Sequence, residues 1–300
     1  MSENKKVLFI INKYAGTGYN PQVEAHLVSH CSKLHIKPSI EFTQGRYHAT
    51  ELASQAAQSK TYEVIFAVGG DGTVNEVAQG LVHTSQAMGI LPCGSGNGLA
   101  RHLGISMNIK KAVAQVGSDK CISMDSFLVN DKLSVNVSGI GFDGHIASLF
   151  GKGSKRGLIG YTGLVIKEFF GFREFPVNIT IDGITYDKHV FVLAFANSSQ
   201  FGNNARVSPL ASVSDGLLDV CFIRKVPLSK AAGFAQKMFT GQIHKSSLVE
   251  IVKGKQLTLS FAQAMPYHVD GEAMTPAQDF SIAIQPASVR MIVPEDSGRV

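Results

Sequence analysis

The chain has 300 residues, 44% of them hydrophobic and 17% charged, with a formal net charge of +5. That length exceeds what one hydrophobic core usually serves and points to two domains, and the composition excludes a disordered or fibrous protein. The positive balance is modest and includes no long Lys/Arg run, so nucleic acid is not implied as a partner.

Cys31, Cys93, Cys121 and Cys221 are scattered without a CxxC pair, which argues against a disulfide framework or a zinc site and reads as reduced core residues. The opening MSENKKVLFIINKYAG has too short an apolar run for a signal peptide, and no later run, VFVLAFA included, reaches the ~20 residues of a spanning helix. The expectation is a cytoplasmic protein whose membrane contact is peripheral.

Short apolar runs alternate with helical patterns over the first ~120 residues, the mark of βα units on a parallel sheet. KVLFIIN (6–12), SIEFTQG (39–45), EVIFAV (63–68) and AMGILPC (87–93) are the expected strands, with helices near 21–34, 48–59 and 73–82. Loops at the carboxyl ends of such strands are where open α/β sheets bind ligands. After about Cys121 the texture turns to apolar runs separated by Asn, Asp and Gly. VNITIDGITYDKHVFVLAFAN carries Asp-Gly, a strong hairpin dipeptide. A mainly antiparallel second domain follows, interrupted by helices near 157–171 and 228–240.

VIFAVGGDGTVNEVAQGL (64–81) places three glycines and a carboxylate between a strand and a helix. Such a turn lets a ligand reach backbone N–H groups, and the helix N-terminus favours negative charge, which together describe a phosphate cradle. Asp71 is out of place there unless it holds a cation or takes a proton from an attacking hydroxyl. The other reading is a tight turn with Thr73 and Glu76 as a capping box, and the two are compatible. The loop matches neither GxxxxGK[ST] nor a dinucleotide GxGxxG.

GGDGTVNE (69–76), NKYAGTG (12–18), LPCGSGNGLARHLGI (91–105), SPLASVSDGLLDV (208–220) and VDGEAM (269–274) together resemble, in order and over nearly the whole chain, the catalytic domain of the diacylglycerol kinase and sphingosine kinase family, in its bacterial lipid kinase type. GGDGT alone is shared with NAD kinases and phosphofructokinases. The resemblance implies an NAD kinase/phosphofructokinase-like open α/β domain with a parallel sheet over 1–122 and an antiparallel β-sandwich substrate domain over 123–293. The tail 294–300 is free to return to the first domain, and ATP and Mg²⁺ are implied in the cleft between the domains. Carried over by position, Asn12, Lys13, Ala15, Gly16, Thr43, Gly69, Gly70, Gly72, Thr73, Asn75, Glu76 and Ser95 bind ATP. Glu272 is the implied proton acceptor with Asp270 beside it, and Asp71 acts on metal or on the acceptor hydroxyl. Asp215 and the carbonyls of Ser212 and Leu217 match a bound Mg²⁺. Lys13 stands where the family usually has Pro, and Tyr19 and Asn20 where a basic residue is frequent. GSGNG is closer to the sphingosine and ceramide kinase form than to the bacterial GTxND.

The expected function is an ATP- and Mg²⁺-dependent lipid kinase acting on the hydroxyl of a diacylglycerol-like or sphingoid-like lipid, with a homodimer left open. The alternatives are a soluble-substrate kinase of the NAD kinase type and a non-catalytic nucleotide- or lipid-binding module, against which the intact Asp71, Asp215 and Glu272 argue. Residues 151–175, with Lys152, Lys155, Arg156, Lys167 and Arg173 around an aromatic segment, read either as a face for an anionic membrane or as a core helix. Asp143 reads as a turn residue or a substrate-orienting group. His102, His145 and His268 read as hydrogen-bonded structural histidines.

Overall fold

The computed structural model describes residues 5–16, 22–150 and 158–295, with side chains from 163 onward in the last stretch. The chain forms two compact units, Met1–Met124 with Ala287–Val300, and Asp125–Pro286.

The first unit runs β1 (Lys6–Ile11), α1 (Gln22–Lys33), β2 (Lys37–Phe42), α2 (His48–Ser59), β3 (Val64–Gly69), α3 (Asp71–Leu81), β4 (Ala87–Pro92), α4 (Gly98–His102) and α5 (Ile109–Ala112). The strands lie in the order β2-β1-β3-β4, all parallel, with Phe9 opposite Phe66 and Phe66 opposite Gly89. β3 and β4 are buried at every position, as a parallel sheet covered on both faces requires. Helices α2 and α3 meet through small residues. A Cβ on Gly80 would lie 2.6 Å from that of Ala53, so only glycine allows this approach.

The sequence reading kept 123–293 within the second domain, and here the structure differs. Arg290 and Met291 pair in parallel with Ala87 and Met88. From Ala287 the chain belongs to the first unit. The cause is the apolar run Met291, Ile292 and Val293, which is buried, with the Val293 N–H donating to Lys120 O at 3.0 Å. Glu295 accepts from Ser118 Oγ at 2.7 Å. Residues 296–300 lie outside the described residues.

The second unit contains β5 (Cys121–Val129, from Asp125 on), β6 (Lys132–Ser134), β7 (Val137–Gly141), α6 (Phe142–Phe150), α7 (Leu158–Gly171), β8 (Phe175–Ile181), β9 (Ile184–Val190), β10 (Val192–Ala196), β11 (Leu218–Ile223), α8 (Ala231–Phe239), β12 (Val249–Gly254), β13 (Gln256–Met265), β14 (Tyr267–Val269), β15 (Glu272–Ala273) and the first part of β16 (Ala277–Ile292). One antiparallel sheet has the order β12-β11-β10-β7-β14-β15, and a second runs β16-β13-β8-β9 with β5 and β6 joined to β16. Strand β11 shows why they stack. Leu218, Val220 and Phe222 enter the core shared with Ile179, Leu257 and Ile282, while Cys221 and Ile223 face the cluster of Phe142, Phe169 and Phe234. Strict alternation of side chains thus places a sandwich core on one face and helices on the other. The Asp182-Gly183 turn joins β8 to β9 with φ of 47° and 85°, as its dipeptide predicts.

Helix α6 was not foreseen, and Asp143 lies in its first turn rather than in a loop. Gly141, at φ 105°, turns the chain, and Gly144 carries no side chain because a Cβ there would lie 2.5 Å from Pro266 O. These glycines disguise a helix start as a turn.

Candidate active site

In the first unit, the motifs read from the sequence sit at the carboxyl ends of parallel strands, where β1, β3 and β4 deliver three loops to one edge. Asn12 ties two of them together. Its Nδ2 donates to Thr73 Oγ1 at 3.0 Å, its Oδ1 accepts from the Tyr14 N–H at 2.9 Å, and its own N–H donates to Val68 O at 3.0 Å. Gly16, at φ 68°, presses on the third loop, since a Cβ there would stand 2.2 Å from Cys93 O. A Cβ on Gly94 would meet the Cα of Gly70 at 2.5 Å. Lys13 lies over the Phe42 ring at 3.6 Å, next to Thr43 at the end of β2, and Ser95 is exposed in the third loop.

Gly72 differs from its neighbours. Like Gly69 and Gly70 it has no positive φ, but a Cβ there would meet nothing within 4 Å among the described residues. Neither backbone conformation nor packing by the described residues requires a glycine at this point of the first turn of α3, so among them the open side of that helix N-terminus is left clear for an approaching group. The glycines and the free approach fit the phosphate chain of a nucleotide.

Asp71 has a use the sequence did not disclose. Its Oδ1 accepts from the Gly98 N–H at 2.7 Å and its Oδ2 from the Asn97 N–H at 2.8 Å, so the carboxylate opens α4 and holds the third loop against the second. Asn97, at φ 52°, closes its own turn by bonding Gly94 N and O at 3.0 and 2.8 Å. The capping-box reading of Thr73 and Glu76 is corrected. The helix begins at Asp71 and Thr73 Oγ1 serves Asn12. Glu76 Oε2 accepts from Ala49 N at 3.2 Å, in the first turn of α2, whose own N-cap Tyr47 makes no side-chain cap. Asn75 Oδ1 accepts from Gln79 Nε2 at 2.6 Å. Glu76 thus ties α3 to α2, while the Asn75 bond to Gln79 lies within α3 itself. Tyr19 and Asn20 lie outside the described residues.

In the second unit, β14 and β15 form a hairpin whose turn, Asp270-Gly271, has φ of 48° and 85°. Asp270 anchors it. Its carboxylate accepts from Ser134 Oγ at 2.5 Å, Val135 N at 2.9 Å and Asn136 N at 3.0 Å. These donors tie the Asp270 carboxylate to residues 134–136 and so position the hairpin, while the catalytic reading of Asp270 stays an expectation. Glu272 follows on β15, half-buried. His268 Nδ1 accepts from the Gly271 N–H at 3.0 Å, which leaves Nε2 to donate to Asp143 Oδ2 at 3.1 Å. Sequence reasoning missed this Asp143–His268 pair, because a helix turn and a strand 125 positions apart meet only in the fold. His145 bonds Glu168 at 3.0 Å.

The turn proposed for Mg²⁺ does not fit that ion. Asp215 Oδ2 lies 2.6 Å from Lys253 Nζ, and Asp215 Oδ1 accepts from the Leu217 N–H at 3.1 Å. The nearby Asp219 is 3% exposed, accepts from Ser208 Oγ and lies 3.5 Å from Lys253. Among the described residues no three His, Cys, Asp or Glu side chains gather as a metal site. Asp215, read from the sequence as a metal ligand, is thus lysine-held here, while the assignment of the Ser212 and Leu217 carbonyls to a metal stays an expectation. Burial pushes the Asp219 carboxyl up. Burial also opposes the Lys253 charge, but the Asp215 hydrogen bond and the Asp219 charge outweigh it and raise the lysine. The partners respond differently because Asp215, the closer carboxylate, gives the lysine its main contact.

Comparison with known proteins agrees with this layout. The family model of the diacylglycerol kinase catalytic domain matches residues 6–129, and that of the YegS C-terminal NAD kinase beta sandwich-like domain matches residues 136–293. A Staphylococcus aureus (strain Newman) protein named "Putative lipid kinase" is 27% identical over 245 residues, covering 79% of each chain. A solved structure titled as a diacylglycerol kinase from Bacillus anthracis str. Sterne has 21% identity and a TM-score of 0.76, covering 99% of this chain and 100% of that one, which shows the fold. The two matched models span nearly the whole described chain, and the protein belongs to the diacylglycerol kinase catalytic-domain family, with a YegS-type C-terminal domain.

Proposed function

We propose that the chain is an ATP- and Mg²⁺-dependent lipid kinase that phosphorylates the hydroxyl of a diacylglycerol-like or sphingoid-like lipid. The observation that carries this reading is the GGDG turn, where Gly72 keeps the N-terminus of α3 open although nothing among the described residues requires a glycine there. Phosphoryl transfer depends mostly on alignment and on neutralising the transferring oxygens, which backbone N–H groups at a helix N-terminus supply without reorganising. Mg²⁺ enters with the nucleotide as part of the substrate. A lipid hydroxyl has a pKa far above 7, so a carboxylate that takes its proton accelerates the step by ~10²–10⁴-fold. We assign that role to Glu272, which the resemblance gives as the acceptor and which lies half-buried on β15 just after the Asp270-Gly271 turn.

The lipid surface meets the second unit through α7 and the segment leading into α8. Ile166, Phe170, Leu228 and Phe239 are exposed at 55–68%. Phe170 and Leu228 line one groove of about 490 Å³ with Arg173 and Lys225. Exposed Lys167 and Lys230 add positive charge. The acids of this stretch are engaged, Glu168 with His145 at 3.0 Å and Glu174 with the Lys225 N–H at 2.7 Å. Apolar side chains ringed by cations suit an anionic bilayer. Residues 151–157, with Lys152, Lys155 and Arg156, lie outside the described residues. No described helix is long and apolar enough to cross a membrane.

The test is incubation with labelled ATP and a panel of diacylglycerol, sphingoid base, ceramide, monoacylglycerol and NAD. Label in one lipid supports the reading. Label in NAD alone, without lipid or detergent, overturns it in favour of the soluble-substrate kinase.

A further inference from the structure

Lys253 and Asp219 are direct cross-strand partners in the antiparallel pairing of β11 with β12. Cross-strand partners share a face, so the register, rather than a flexible side chain's choice, puts the lysine beside the buried acid. From there its ammonium reaches Asp215 Oδ2 at 2.6 Å while staying 3.5 Å from Asp219 Oδ1. A Mg²⁺ ion would need its own oxygen contacts at about 2.0–2.1 Å in an octahedron. The ammonium already occupies the approach to that oxygen.

We propose that Lys253 is the resident cation of the 212–219 turn, doing with a covalently attached charge what a divalent ion would do there, and that loss of this charge turns Asp215 and Asp219 into a divalent-responsive pair. The turn's order is then independent of divalent ions, whatever ion the nucleotide brings. The inference does not depend on which substrate is phosphorylated, and its test uses neither nucleotide nor lipid.

Thermal unfolding of the nucleotide-free full chain is measured in EDTA, in MgCl₂ and in CaCl₂ at matched ionic strength. Wild type is expected to give one Tm in all three. Lys253→Met is expected to melt several degrees lower in EDTA and to recover with Mg²⁺ or Ca²⁺, and the double variant Asp215→Asn/Lys253→Met to lose that response. Lys253→Arg, which keeps the charge, should behave as wild type. A wild-type Tm that drops in EDTA, or a Lys253→Met variant indifferent to both ions, overturns the proposal. Should Lys253→Met fail to fold, calorimetric titration of wild type with MgCl₂ decides: saturable heat overturns the proposal, and its absence supports it.

Discussion

The Asp71 Oδ1 and the N–H of Gly98 meet at 2.7 Å, so the one carboxylate in the GGDG loop is directed at the neighbouring loop. With the second bond to Asn97 it accounts for an acid placed among glycines proposed to bind phosphate: it ties the second loop to the third. Asp71→Asn would put an amide N–H₂ against one of two backbone donors, and Asp71→Ala would leave both without this acceptor. Each change is expected to lower stability by roughly 1–3 kcal/mol and to raise the KM for ATP. Urea unfolding together with ATP titration checks this. Stability unchanged in Asp71→Asn, with kcat alone reduced, would return Asp71 to the chemistry.

Glu272 and Asp270, two positions apart, should separate cleanly. Glu272→Gln removes the proposed proton acceptor and should lower kcat by ~10²–10⁴-fold with little change in the KM for ATP or in Tm. Asp270→Asn weakens three hydrogen bonds under the hairpin and should cost about 2 kcal/mol or more of stability. Steady-state kinetics and melting of both variants provide the comparison. A fully active Glu272→Gln would remove the residue from the mechanism.

What the sequence could show depended on how far apart the interacting groups lie. The strands β1, β3 and β4 were legible because a strand covered on both faces needs an unbroken apolar run. The Asp182-Gly183 hairpin was legible because its backbone demands those two residues. The three loops after β1, β3 and β4 were legible as glycine clusters after strands. Their ties were not, since Asp71 bonds a residue 27 positions away and Asp215 one 38 away, pairings that only the packed loops and sheet register create. Glu76 shows the same limit. Its spacing from Thr73 spelled a capping box, but the first turn of α2 lacked a cap of its own and took the carboxylate.

The membrane-facing assignment predicts that Phe170→Ser and Leu228→Ser each reduce sedimentation with vesicles of anionic phospholipid, and that the pair together nearly abolish it. Both side chains are exposed, so neither change should cost more than about 0.5 kcal/mol of stability. Binding should fall as salt rises, because the cations near the groove act through a screened potential. Undiminished binding of the double variant would move the docking surface elsewhere.

Cys31 lies in α1 with no exposed surface, and burial pushes its thiol up to about 11 from an ordinary 9.0. The unfolded chain loses this proton first as pH rises, so the folded state binds more protons between those two values. Stability from the buried thiol is therefore fully present below about pH 9 and is lost progressively as pH climbs toward about 11. The limiting slope for one proton is about 1.4 kcal/mol per pH unit. Urea unfolding across this range should show the decline. In Cys31→Ala the whole curve should start lower, because a buried side chain is truncated, yet fall less steeply, because one titrating group is gone. Cys221, also fully buried and likewise raised by burial, sustains part of the remaining slope. Equal slopes in wild type and Cys31→Ala would mean that Cys31 takes no part in the alkaline transition.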